Sequence, residues 1–176
     1  MKKTIVLSVL ALAALLSFSA YTYTHIKPLQ QTTVKGNWKY KVKEDKMTDE
    51  KIYAATTEAP EKLHFGFPYA GGTTMSLDLT SFTSDGTNYI GIIINNGKFS
   101  GTPKDTSEIR IRFDKNPPEK CKFLLIGDDG DMGALFPYKD LIDKIKKAKK
   151  FLVELEFKNE GTHQVEFNVE GLEWNH

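Results

Sequence analysis

The sequence predicts a mainly β protein: an antiparallel β-sandwich or partly open barrel with one amphipathic helix near its C-terminal third. Three observations predict it. Apolar and polar residues alternate in about nine short runs between Trp38 and Val169, the period-two pattern of half-buried strands. Glycines, prolines and Asp/Asn turns separate the runs at close spacing, as in sandwiches and barrels. One segment alone has helical period, and there is no strand–helix–strand rhythm of a parallel nucleotide-binding sheet. With 176 residues, 40% hydrophobic and 27% charged, the chain suits a single domain and is too apolar to be disordered.

Residues 1–19 form an address. Lys2 and Lys3 precede an apolar run from Ile5 to Leu16, and Ser17 and Ser19 stand at −3 and −1 of a cut after Ser19. This is the layout of a bacterial secretory signal peptide. The run is short for a spanning helix, which needs about 20 residues. Left uncleaved, the same segment would tether the protein to a membrane. Residues 20–36 are Thr-rich, with Pro28 and Gly36 as breakers, and read as a flexible leader. Residues 37–176 are the β-sandwich-like domain.

Trp38, Tyr40 and Val42 alternate with three lysines and open the first strand of that domain. A polar turn from Asp45 to Asp49 leads to a second strand from Ile52 to Thr57. Leu63, Phe65 and Phe67 alternate with His64 and Gly66 as a third, which Pro68 to Gly72 breaks. Met75, Leu77 and Leu79 make a fourth. The Asp85-Gly86 pair then signals a hairpin into Tyr89 to Ile94. Asn95-Asn96-Gly97 turns the chain toward a loop over residues 100–107. Ile109, Ile111 and Phe113 mark the next strand, and Cys121 to Ile126 another, before the acidic loop at 127–131.

From Tyr138 to Lys150 the apolar positions Leu141, Ile142, Ile145 and Ala148 fall at helical spacing. Pro137 suits the first turn. Asp140 and Asp143 lie early and the lysines late, as the helix dipole favours. A final hairpin joins Leu152–Phe157 to His163–Val169. The expected core is Trp38, Phe65, Leu77, Ile92, Ile111, Phe113, Leu124, Ile145, Leu155, Phe167 and Trp174.

Composition excludes several classes of function. A net charge of +1 gives no strong pull toward nucleic acid. The single cysteine, Cys121, excludes an internal disulfide and a multi-cysteine zinc module, and it reads as a buried, inert thiol. His25, His64, His163 and His176 lack metal-ligand spacing, and no G-x-S-x-G elbow is present. No cofactor is implied.

The remaining candidates are surface groups. Glu154 with Glu156, and Glu166 with Glu170, are paired acids of the kind a glycosidase needs across a cleft. The plainer reading makes them solvated strand faces balanced by lysines. Asp128, Asp129 and Asp131 offer oxygens to calcium without the spacing of an EF-hand, and a polar turn explains them equally. Tyr69 and Tyr89, with the Gly71-Gly72 loop, suit a sugar or peptide rim. Lys146, Lys147 and Lys150 suit anionic polymer, lipid or a partner, as does any solvated lysine face.

Four pieces of the chain taken together resemble a known group: Trp38-x-Tyr40 with Met47-Thr48-Asp49, Ile109 to Asp114, Lys146 to Glu154, and Val165 to Trp174. Their order is similar to that of small exported bacterial proteins of uncharacterised function, and more distantly to the VasI-like accessory proteins of type VI secretion. The resemblance implies an exported β-sandwich and brings no catalytic residues.

The expected function is therefore a non-catalytic binding or accessory domain of the bacterial cell envelope, periplasmic or secreted. Its partner would be a protein or an envelope polymer. A glycan or cell-wall hydrolase using the paired carboxylates is the first alternative. A periplasmic inhibitor or immunity-like protein is the second.

Overall fold

The computed structural model describes residues 31–35, 37–126 and 128–176. The signal segment and residues 20–30 lie outside the described residues. Those described form ten strands: β1 Gln31–Lys35, β2 Trp38–Asp45, β3 Glu50–Glu58, β4 Thr74–Phe82, β5 Asn88–Asn95, β6 Thr106–Phe113, β7 Glu119–Ile126, β8 Met132–Phe136, β9 Lys150–Phe157 and β10 Gly161–Asn168. One helix, α1, spans Tyr138–Ile145.

All ten strands belong to one antiparallel sheet in the order β1-β2-β3-β4-β5-β8-β7-β6-β9-β10. The first five form a meander of sequential antiparallel neighbours: short turns join β1 to β2, β2 to β3 and β4 to β5, and the longer loop 59–73 joins β3 to β4. The chain then passes to β6 and returns through β7 to β8, which closes against β5. After α1, β9 takes the free side of β6.

The alternation in the sequence becomes the two faces of this sheet. Met75, Leu77, Leu79, Ile90, Ile92, Ile111, Val153, Leu155, Val165 and Phe167 point to one side and are buried there. The sheet curls around that side, and Leu141, Ile142 and Ile145 of α1 join the same core. Every residue of the expected core is buried. Leu124 is on the other face, in a small second cluster with Ile126 and Ala134.

The roll stops short of a closed barrel. Its ends are joined by side chains rather than by a ladder. Trp38 Nε1 donates to Val169 O (3.1 Å), Thr57 Oγ1 donates to Asn168 O (3.2 Å), and the backbone of Glu173 donates to the Tyr40 hydroxyl (2.9 Å). Groups from the inner face of β2 and β3 thus meet the end of β10 and the segment after it.

Four local expectations change. Residues 31–35, assigned to the leader, pair with β2 from Gln31↔Val42 to Lys35↔Trp38. The third predicted strand is absent: Leu63 makes one bridge, to Thr73, and the segment crosses an end of the roll instead of running beside a neighbour. Its Phe65 is buried, whereas Phe67, read as facing the same way, is 97% exposed. β8 escaped the sequence reading because Met132-Gly133-Ala134-Leu135-Phe136 has apolar residues on both faces and therefore no alternation. The helix ends at Ile145, not Lys150. Lys149 and Lys150 instead donate their backbone N–H groups to Asp114 Oδ1 (2.9 Å each), which starts β9.

Candidate functional site

Beyond Arg110↔Glu154, β6 and β9 part. They pair only from there to Phe113↔Phe151. The upper edge of β9 is taken by the segment after β5: Ser100 N donates to Glu156 O (2.8 Å), Lys158 N donates to Lys98 O (2.9 Å), and Phe99 bridges Phe157. The wedge left between this segment and β6 is a cleft of about 290 Å³. Ile109, Phe123 and Leu155 form its apolar floor, and Ser107, Arg110 and Glu156 stand on its rim.

Of the three acids that line the cleft, Glu154 and Glu108 are held by partners, while Glu156 is exposed on the rim. Arg110 grips Glu154 with two nearly parallel bonds, Nε to Oε1 at 2.8 Å and Nη2 to Oε2 at 2.6 Å. Gln164 Nε2 adds a third at 3.0 Å. Charge-assisted bonds of this kind favour the ionised carboxylate. The Glu154 carboxyl is accordingly held down to about 2, mainly by the Arg110 bond and then by Gln164. Glu108 binds Lys120 at 2.6 Å, and Glu166 binds Lys150 at 2.7 Å. Glu170 binds Lys149 at 3.0 Å. Glu154 and Glu156 share the outer face of β9, as their spacing predicts, but Glu154 is tied up as a structural ion pair.

The other candidates are scattered. Tyr69 packs against the main core, while Tyr89 lies on the opposite face with its ring edge-on to Phe82 at 5.7 Å. Burial pushes the Tyr89 hydroxyl up. The two tyrosines thus form no common rim. Lys146 and Lys147 are exposed in the turn after α1, and Lys150 is taken by Glu166. Cys121 is buried, with Sγ 3.4 Å from Phe136 O, and burial raises its pKa. His163 lies elsewhere, against Phe65 and Phe157, with Nε2 3.0 Å from Glu160 O. Asp128, Asp129 and Asp131 are exposed. Among the described residues, no three His, Cys, Asp or Glu side chains gather to hold a metal ion.

Four loops meet at the end of the roll where the cleft opens: 59–73, 96–105, 128–131 and 158–160. Asn96 fastens the first of them, its Nδ2 lying 2.9, 3.3 and 3.1 Å from the carbonyls of Tyr69, Ala70 and Gly72. Gly66 N donates to Glu160 Oε1 at 3.0 Å, and Tyr69 N to Gly66 O at 2.8 Å. Ile94 N and Phe99 N donate to Asp131 O and Gly130 O, which ties the acidic loop alongside. Phe67 stands out from this fastened cluster. The sequence reading missed it by treating it as a strand residue. The Pro68 that follows it and the Gly71-Gly72 pair were the signals for a protruding loop.

No family model and no curated protein matches the chain. Among solved structures, the crystal structure of invasion associated protein B from Bartonella henselae aligns at a TM-score of 0.46 with 12% identity, over 80% of this chain and 90% of that one.

Proposed function

We propose that this protein is an exported, non-catalytic binding or accessory domain of the bacterial cell envelope. The observation that carries the reading is the state of the carboxylates at the cleft between β6 and the segment after β5. General acid catalysis of glycoside hydrolysis needs a carboxyl that keeps its proton near neutral pH. Glu154 has the opposite bias and Glu108 is committed to Lys120, which leaves Glu156 on the rim without a second free carboxyl lining the cleft to complete a catalytic pair. What the cleft offers is shape: an apolar floor inside a polar rim, as binding pockets have. Export rests on the pattern of residues 1–19.

Two measurements on the full-length chain in a bacterial host test the reading. Osmotic-shock fractionation is expected to recover the protein outside the cytoplasm with Ala20 as its first residue. Incubation with isolated cell-wall glycan is expected to release no new reducing ends. Release that disappears in Glu154→Gln or Glu156→Gln would establish the hydrolase instead. Retention in the cytoplasm would remove the envelope assignment.

A further inference from the structure

We propose that the four-loop end of the roll is a protein-docking surface, with Phe67 as its anchor and an acidic rim that selects a partner whose apolar socket is ringed by basic residues. The inference rests on the binding-domain reading and names the surface and partner class for it.

Phe67 is the first observation. Among the described residues, only Met47 and Phe67 are large apolar side chains exposed to this degree, at 91% and 97%. A single exposed apolar residue is ordinary on a protein surface. Phe67 differs in how it is held. Met47 sits at the tip of the β2–β3 turn. The residues flanking Phe67 are fastened on both sides: Gly66 to Glu160 and to Tyr69, and the stretch from Tyr69 to Gly72 to Asn96. Leu63 and Thr73 exchange backbone bonds at the base of the same loop (3.0 and 2.8 Å). Phe65, two residues away, is buried in the core. A loop already ordered gives up little further freedom when it docks, so more of the free energy of burying its aromatic ring remains for binding. Aromatic anchors that enter a partner's pocket dominate binding in this way.

The charge carried by the four loops selects the occupant. The four loops carry Glu61, Asp105, Asp128, Asp129, Asp131 and Glu160 against four lysines and His64; Glu61 lies near Lys150 and Glu160 accepts from Gly66, so the acidic excess stands in residues 128–131. The 128–131 loop, tied alongside through Ile94 and Phe99, has three aspartates and no basic residue. A negatively charged bilayer would repel this rim. A second copy docking face to face would set aspartates against aspartates. A basic surface around an apolar socket satisfies both features at once.

The test uses the full-length protein in its host cell, with the photo-reactive residue p-benzoyl-phenylalanine placed at position 67, at position 47, or at Thr162 on the cleft rim. Met47 and the 59–73 loop lie at opposite ends of β3, so position 47 is the control. Illumination of the position-67 protein is expected to give one discrete adduct with another protein. Combining it with Asp128→Lys and Asp129→Lys, or adding about 0.5 M salt to isolated envelopes, should weaken that adduct about tenfold. In a binding assay with the identified partner, Phe67→Ala should cost at least about tenfold in affinity.

A lipid adduct, an adduct of twice the chain's mass, the same adduct from position 47, or indifference to charge reversal overturns the proposal. An adduct from position 162 with none from 67 overturns the docking surface and leaves the binding-domain reading standing. No adduct from either position counts against both.

Discussion

Glu154 accepts three hydrogen bonds from two side chains, and its acidity follows from them. Its carboxyl in the folded protein, at about 2, is below the ordinary 4.5. As pH falls, the unfolded chain therefore takes up this proton first. The stabilising contribution is complete above the ordinary value and fades until about pH 2. The melting-temperature advantage of wild type over Glu154→Gln should shrink between pH 5 and 2 in thermal scans; an advantage constant with pH contradicts the assignment. Asp78 has the opposite sign. It lies on the outer face of β4, and its Oδ1 is buried without a hydrogen-bond partner among the described residues. Burial raises its pKa, against the opposing bonds from Thr56 and Ser76. The charged form thus costs stability at neutral pH, and the cost is relieved as pH drops through the raised value. Asp78→Asn should gain about 1 kcal/mol at pH 7 by urea unfolding. The gain should diminish in acid. A loss at pH 7 would show that the carboxylate is better satisfied than the geometry indicates.

Among the elements, β8 depends on a single glycine. A Cβ built on Gly133 would lie 2.0 Å from the Phe123 ring. That ring cannot swing away freely, because Phe99 packs edge-on against it at 5.1 Å. Gly133→Ala should therefore destabilise the fold by about 1–3 kcal/mol through overpacking, read as a lower urea midpoint with an unchanged slope. A neutral result would mean that β7 and β8 can slide apart at little cost. The element boundaries show where pattern reading succeeds and fails. Strands with one wet face, such as β2, β4, β6 and β10, reveal themselves by alternation, because solvent and core impose opposite demands on successive residues. β8 does not, since Ala134 and Phe136 belong to the second cluster on its outer face. α1 ends early although its apolar spacing continues to Ala148. Periodicity reports which side of a segment is buried, whereas the start of β9 is set by Asp114, thirty-five residues away in sequence from Lys149.

At the scale of the whole molecule, closure of the roll rests on a few side chains. Trp38 is fully buried and its indole N–H reaches the Val169 carbonyl across a separation of 131 residues. Trp38→Phe keeps an aromatic ring but leaves that carbonyl without its donor and a gap beside it. The expected cost is about 2 kcal/mol, measured by chemical unfolding. If the seam opens locally before the rest unfolds, hydrogen exchange at the end of β10 should speed up more than exchange in β4 and β5. Uniform protection loss would mean that the seam and the sheet are one cooperative unit. The fold class, most of the strands and the core can be read from the order of residues. These follow from short-range alternation, because each side chain's preference for water or interior is encoded where it stands. The place where β6 and β9 separate into a cleft follows from the folded arrangement. That arrangement also brings Arg110 and Gln164 onto Glu154 and lifts Phe67 out of the core-facing pattern of Leu63 and Phe65. Those outcomes depend on contacts between residues far apart in the chain, and local periodicity contains no record of which distant segment will fill a given edge.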